Sequence, residues 1–304
     1  MFSRSLPLLC VFVACIIWGL SPLYYKLLID VPALEVMGHR TLWSFVFFAG
    51  FLAMQGRLSQ VKTAMTTPGQ AGLIAISTIM VATNWLMFIH LVQVGRTTDT
   101  SLGYFVSPLV SVVLGWAVLG ESLSGGKIAA VALASVGVFT LGFGLGAPPL
   151  ASLFLAVSFA IYGLCKRRLQ ADAMVTVTAE VCILGPLAMV ALLWWGGAGH
   201  ITQDLATALL LIGSGPLTAV PLVLFTIGAK GVPLATLGMA QYLNPSLQFL
   251  LAVAIFSEQF TLWHTSAFAI IWTALAIYSV AGIVEDRARR KVSIAASGSG
   301  TDVT

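Results

Sequence analysis

Charge is scarce in this sequence. Asp, Glu, Lys and Arg make up 9% of the 304 residues and hydrophobic residues 59%, with a mean hydropathy of +0.98. Soluble domains carry roughly 25% charged residues, so that class is excluded and the chain reads as a polytopic membrane protein. Cysteine is sparse too: Cys10, Cys15, Cys165 and Cys182 lie in or beside apolar runs without paired spacing, which suggests neither a disulfide framework nor a zinc site. Catalytic signatures are absent. There is no HExxH, no pair of intramembrane Asp and no His-rich cluster, and the strings GFGLG and GSG lack the strand-turn-helix setting of a nucleotide loop. An enzyme is therefore not expected, nor any cofactor or metal. No extramembrane segment is long enough for an ATPase domain or for a receptor's partner-binding loops, so any work must draw on a solute or ion gradient.

What is present is a succession of apolar runs. A helix needs about 20 mostly apolar residues to cross the hydrocarbon core, and on that ruler ten spans are expected near 7–28, 33–54, 71–93, 100–119, 127–143, 149–164, 174–195, 205–227, 233–256 and 262–284. The first run follows a short FSRS start but continues through WGLSPLYYKLL without a small-residue cleavage site, so it reads as a helix and not as a signal peptide. GFGLGAPP, from Gly142 to Pro149, supplies the turn that splits one long uncharged stretch into two helices.

Lys and Arg then segregate. Arg4, Arg57, Lys62, Lys127, Lys166, Arg167, Arg168, Lys230, Arg287, Arg289, Arg290 and Lys291 fall on the amino-terminal side, twelve in all, against Lys26 and Arg96 on the other, with Arg40 inside a span. Cytoplasmic loops are enriched in these residues, so both termini are expected in the cytoplasm. The basic RARRKV stretch fits a cytoplasmic flank of the last span better than a nucleic-acid site. The polar remainder, SIAASGSGTDVT, is expected to be flexible.

Ten spans invite a search for two fives. A shift of 137 residues lays SPLVSVVLGWAVLGESLS, from Ser107, over NPSLQFLLAVAIFSEQFT, from Asn244, so that Pro108 meets Pro245 and Glu121 meets Glu258. An odd number of spans per repeat makes the second half enter the membrane from the opposite face.

A late-repeat helix with a central Pro and a closing Glu, occurring twice in ten spans, resembles the EamA module of the drug/metabolite transporter superfamily. SPLYYKLL, VPALEVMGHRTLWS, NWLMFIHLVQVGRTTDTSLGYFVSPLVSVVLGWAVLGESLS and MAQYLNPSLQFLLAVAIFSEQ are similar to its RarD branch. The resemblance implies an all-α integral membrane protein, with ten transmembrane helices arranged as two inverted five-helix repeats around a central cavity. It places the first EamA repeat over 1–148, the second over 149–285 and a cytoplasmic tail over 286–304. It implies a multi-pass protein of the bacterial inner membrane, monomeric or a weak homodimer, exporting small metabolites. YddG-type relatives export amino acids, whereas the RarD name is tied to chloramphenicol sensitivity, so both substrate classes stay open.

Polar and aromatic residues on helix faces are the candidates for a solute path. Tyr104, Ser107, Pro108 and Ser111 recur at helical spacing in the fourth span, and Gln241, Asn244, Pro245 and Gln248 in the ninth. They read as opposing cavity walls; the alternative is hydrogen bonding between neighbouring helices. Trp18, Asn84, Trp85 and Tyr162 are further candidates for substrate binding, Tyr162 equally for an interfacial aromatic belt. His39, Arg40 and Glu180 are intramembrane ionisable groups, readable either as a structural pair between Arg40 and Glu180 or as proton carriers. Pro22, Pro108, Pro221 and Pro245 are candidate hinges or static kinks. Glu121 and Glu258 end their helices, where the dipole disfavours an acid, and are expected to start the next helix as caps or to pair with a cation.

Overall fold

The computed structural model describes residues 5–120, 124–145, 149–194, 199–231 and 240–298, and among these every regular element is helical. The helices are α1 (Ser5–Lys26), α2 (Ala33–Met54), α3 (Leu58–Thr66), α4 (Gln70–Gln93), α5 (Thr97–Leu119), α6 (Gly125–Leu145), α7 (Leu150–Arg168), α8 (Ala173–Trp194), α9 (Leu205–Gly231), α10 (Leu243–Leu250) and α11 (Leu262–Gly298). Eight are long and apolar enough to cross a membrane, and Leu150–Lys166 and Leu243–Ile255 are shorter apolar helices. These ten follow the order of the expected spans. Helix α3 was not anticipated: only Val61 and Ala64 of it are buried, against Leu52, Ile74 and Val175, so it lies on the bundle between α2 and α4. Glu121 and most of the loop before α10 (232–239) lie outside the described residues.

Helix ends follow local chemistry. Helix α5 stops at Gly120, whose φ of 67° is the left-handed cap that a residue without Cβ supplies at little cost. Asp204 starts α9 by accepting the Thr207 N–H at 2.8 Å and the Thr207 hydroxyl at 2.7 Å, and these bonds hold its carboxyl below the ordinary range. After α10 the winding loosens over Leu251–Ile255, where the Phe256 N–H reaches back to the Leu251 carbonyl at 2.8 Å. Ser257 then turns the chain with φ 51°, the one non-glycine residue with positive φ among those described.

Packing joins α1 to α9, α4 to α7, α1 to α10, α5 to α7, α2 to α8 and α9, and α6 to α11, with α5 also meeting α10. Small residues set the close approaches, as is usual where lipid offers no hydrophobic drive to helix association. A Cβ on Gly19 of α1 would stand 2.7 Å from the Leu247 Cβ of α10, and one on Gly103 of α5 would stand 2.8 Å from the Ser152 carbonyl of α7. Outward faces carry exposed Phe139, Phe143, Leu193 and Trp194, which suits contact with acyl chains.

Five prolines interrupt the long helices, at Pro22, Pro108, Pro186 and the pair Pro216 and Pro221. Pro22 removes the donor that would serve the Trp18 carbonyl, and the Ser21 hydroxyl takes that place at 2.7 Å. Pro245 differs from the mid-span kink expected of it. It lies in the first turn of α10, where a missing N–H costs little, and its carbonyl accepts the Ser101 hydroxyl at 2.8 Å.

Candidate functional site

Arg40 is the eighth residue of α2 and Tyr104 the eighth of α5, two helices that start at the same end of the bundle. At about 1.5 Å per residue both stand about 11 Å inside that end. Trp85, two turns before the end of α4, and Tyr25, at the end of α1, complete the group. The Arg40 guanidinium carbon lies 4.1 Å from the centroid of the Trp85 ring and 5.9 Å from that of Tyr25. The residue is 6% exposed, and its Nε is sealed without a hydrogen-bond acceptor. Beyond Tyr25 a contact line of rings continues through Phe88, Tyr104 and Phe159 to Tyr162, each centroid 5.6 to 6.0 Å from the next.

The expected Arg40 to Glu180 pair does not form. Glu180 accepts from Lys166 Nζ at 2.7 Å, from the Ser77 hydroxyl at 2.6 Å and from the Tyr162 hydroxyl at 3.4 Å. The reason is depth. Glu180 is the eighth residue of α8, which starts at the amino-terminal end of the bundle, whereas Arg40 is counted from the other end. Lys166, two residues from the end of α7, is at the right level, because the helix continues past the span end expected at 164. A lone charge near the bilayer centre costs about 2.5–3.5 kcal/mol on insertion scales. Glu180 shares that burden with three partners and Arg40 with two ring faces.

His39 points towards Glu35 at 3.9 Å, but Glu35 is held more closely by His200, at 2.6 Å from Nδ1 and 3.2 Å from the backbone N–H. His200 gave no signal in the sequence because it sits in a polar loop, far from α2 along the chain.

Asn84 is fully buried. Its amide donates to the Leu155 carbonyl at 3.0 Å and to the Ser158 hydroxyl at 2.9 Å, while its Oδ1 accepts from the Tyr104 hydroxyl at 3.0 Å. It ties α4 to α7 and α5 with both amide donors used, leaving one acceptor position on Oδ1 for anything else. Ser107 is buried, with its carbonyl taken by Ser111 at 2.9 Å. Trp18 is half-buried, 5.6 Å from Phe225 of α9. On α10, Gln248 donates to Asn244 at 2.9 Å and accepts the Thr100 hydroxyl at 2.9 Å, while Gln241 is half-buried one turn before. Pro22 and Pro221 are buried, in α1 and α9. Thus α5 and α10 do face one another, through a polar seam that the run TTDTS supplies.

Glu258 corrects the expectation of a local cap. Its carboxylate accepts the N–H groups of Thr97 at 2.7 Å and Thr98 at 2.8 Å and the Thr98 hydroxyl at 2.8 Å, so it caps α5 and not the helix that follows it. A separate groove of about 180 Å³ between α2, α4 and α8 is lined by apolar residues and Thr41 and Thr83, offering nothing to a charged solute.

A membrane-spanning helical bundle whose polar and charged side chains converge inside it at two depths is the build of a membrane transporter. The profile of the EamA-like transporter family matches residues 5–143. An uncharacterized transporter of Vibrio cholerae is 39% identical over 279 residues, covering 90% of this chain and 92% of its own length. Protein RarD of Escherichia coli is 38% identical, covering 91% of this chain and 95% of its own. The chloramphenicol-sensitive protein RarD of Pseudomonas aeruginosa is 27% identical, with 92% and 96% covered. The chain belongs to the EamA family of the drug/metabolite transporter superfamily, in its RarD-like group. A protein of known crystal structure matches with TM-score 0.59 over 90% of this chain and 97% of its own; at 19% identity that likeness concerns fold alone.

Proposed function

We propose that this transporter exports small metabolites, with amino acids as the substrate class, by alternating access between two inverted five-helix halves, 1–148 and 149–285. The observation that carries the reading is the seam between α5 and α10. Thr100 with Gln248, Ser101 with Pro245 and Thr97 and Thr98 with Glu258 join the halves by hydrogen bonds, which a carrier can break and remake without exposing an apolar core.

The inverted repeat is supported by the way helices pair. Exchanging α1, α2, α4, α5 and α6 for α7, α8, α9, α10 and α11 turns the contact of α1 with α9 into that of α7 with α4, and of α1 with α10 into that of α7 with α5. The left-handed residues Gly120 and Ser257 also stand at equivalent places, each just before a closing Glu. The excess of Lys and Arg on the amino-terminal side supports cytoplasmic termini in an inner membrane, for a chain acting as a monomer or weak homodimer.

Efflux of amphipathic drugs is the second reading, favoured by the name of the Pseudomonas aeruginosa relative. Proteoliposomes loaded with labelled amino acids or chloramphenicol separate the two. Amino-acid efflux is expected; robust chloramphenicol flux without any amino-acid flux overturns the first reading. Dependence of the flux on an imposed pH gradient tests proton coupling, for which Glu180 and the Glu35, His39 and His200 group are the candidates.

A further inference from the structure

Arg40 holds the one buried guanidinium among the described residues, and no hydrogen bond or ion pair joins it to another of them. Its surroundings satisfy only half of what the group presents. A guanidinium offers two faces to aromatic rings and an edge of five N–H donors to acceptors. Trp85, at 4.1 Å, and Tyr25, at 5.9 Å, meet it through ring contacts, which need no acceptor atom. The edge finds no acceptor among the described residues. Glu35 is engaged by His200 and approached by His39, and Glu180 is engaged by Lys166 and Ser77 at the other depth of the bundle. The nearby hydroxyls make no bond to it either: that of Tyr104 donates to Asn84, and that of Thr218 to the Ser214 carbonyl.

We propose that Arg40 is the carboxylate anchor of the transport site, its edge binding a substrate carboxylate in two parallel hydrogen bonds while Trp85 fixes the plane of the guanidinium. This inference rests on the exporter reading above and deepens it by naming the chemical group recognised. Two features favour a carboxylate. The planar fork of Arg matches a planar two-oxygen acceptor, and among the described residues the site has a single cation, which one negative charge neutralises. The adjoining rings of Tyr25, Phe88 and Tyr104 suit the apolar remainder of such a molecule. Binding then neutralises the guanidinium, so the anion is bound more firmly than a neutral analogue of the same shape. A drug without a carboxylate, such as chloramphenicol, gains nothing from Arg40.

The test uses the full-length protein in nanodiscs and three acid and amide pairs graded in size: acetate and acetamide, benzoate and benzamide, 3-phenylpropionate and its amide. At least one acid is expected to bind the wild type ten-fold or more tightly than its amide. Arg40→Gln should erase that preference. Arg40→Lys should keep part of it, since an ammonium attracts the charge without the fork. Trp85→Leu should weaken acid binding several-fold while the acid preference persists, a second variant that stands if Arg40→Gln fails to fold. Equal binding of acid and amide, no acid binding in any pair, or a preference that survives Arg40→Gln overturns the proposal. Flux assays with the same pairs separate it from the exporter reading. Equal transport of acid and amide leaves an exporter without this anchor; an Arg40-dependent acid preference without transport leaves the anchor without an exporter.

Discussion

The Glu258 carboxylate closes the first turn of a helix that begins 161 residues earlier, at Thr97. Both oxygens are used, one on the Thr97 N–H and the other on the Thr98 N–H and hydroxyl. The position at the start of α5 meets the positive end of the helix dipole, so an acid that ends its own helix unfavourably becomes favourable on another. Ser257 adopts φ 51° just ahead of it, a conformation that costs a residue with a Cβ about 1–2 kcal/mol. That cost is offset by three charge-assisted hydrogen bonds.

Glu258→Gln tests the balance. The amide keeps one acceptor oxygen but turns an NH₂ towards a backbone N–H, and the loss of charge-assisted bonds should lower unfolding stability by about 1–3 kcal/mol. Ser257→Gly should raise it by about 1 kcal/mol by relieving the turn. Thermal unfolding in detergent measures both, and unchanged stability in Glu258→Gln would show that the cap carries no weight.

A second prediction concerns Lys166 and Glu180, 2.7 Å apart and both largely out of solvent. Removing one member of a buried pair strands the other charge and costs about 3–5 kcal/mol. Lys166→Met and Glu180→Gln should each reduce stability strongly, Glu180→Gln somewhat less because the Ser77 bond can persist. The double variant should be more stable than the sum of the two losses implies. Additive losses would mean that the two groups do not interact.

How far the sequence reveals this molecule follows from what each signal depends on. Apolar runs such as Leu205 to Phe225 declare a span by themselves, because lipid demands a local property of about 20 residues. Partners of intramembrane charges are another matter. Lys166 lies at the end of an apolar run beside Arg167 and Arg168, where it looks like any cytoplasmic flank, and only the packing of α7 on α5 and α4 brings it level with Glu180. Asn84 reads as a lining residue because an amide in a membrane needs a reason; that three groups of neighbouring helices satisfy it is a fact of packing. The Glu258 cap is visible in the sequence as a repeated mark, though its target is not, since no local pattern records which helix start lies nearby.

The Asn84 and Tyr104 contact gives a third expectation. Tyr104→Phe leaves the Asn84 Oδ1 buried without its donor, at a cost of about 1–3 kcal/mol. Asn84→Ala should cost more, since the Tyr104 hydroxyl loses its acceptor and a cavity opens between α4 and α7. With Asn84→Ala in place, Tyr104→Phe should become nearly neutral, because each change removes the same bond. Unfolding stabilities of the two singles and the double decide this, and an undiminished effect of Tyr104→Phe on the Asn84→Ala background would show that the bond is not what joins them.

The last prediction separates packing from motion at Pro22. The ring removes the donor for the Trp18 carbonyl, and the Ser21 hydroxyl compensates at 2.7 Å. Tyr25, three residues further on, stands over Arg40, so the course of α1 at this point aims a ring at the buried charge. Pro22→Ala restores the helical N–H and removes a residue that costs about 3 kcal/mol in a regular helix interior, so stability should hold or rise. Ser21→Ala alone should lower stability by about 1–3 kcal/mol by orphaning the carbonyl, and adding Pro22→Ala should recover most of that. If the bend at Pro22 works as a hinge, efflux from proteoliposomes falls in Pro22→Ala even though the protein is no less stable. Wild-type flux together with unchanged or increased stability would assign Pro22 to packing alone.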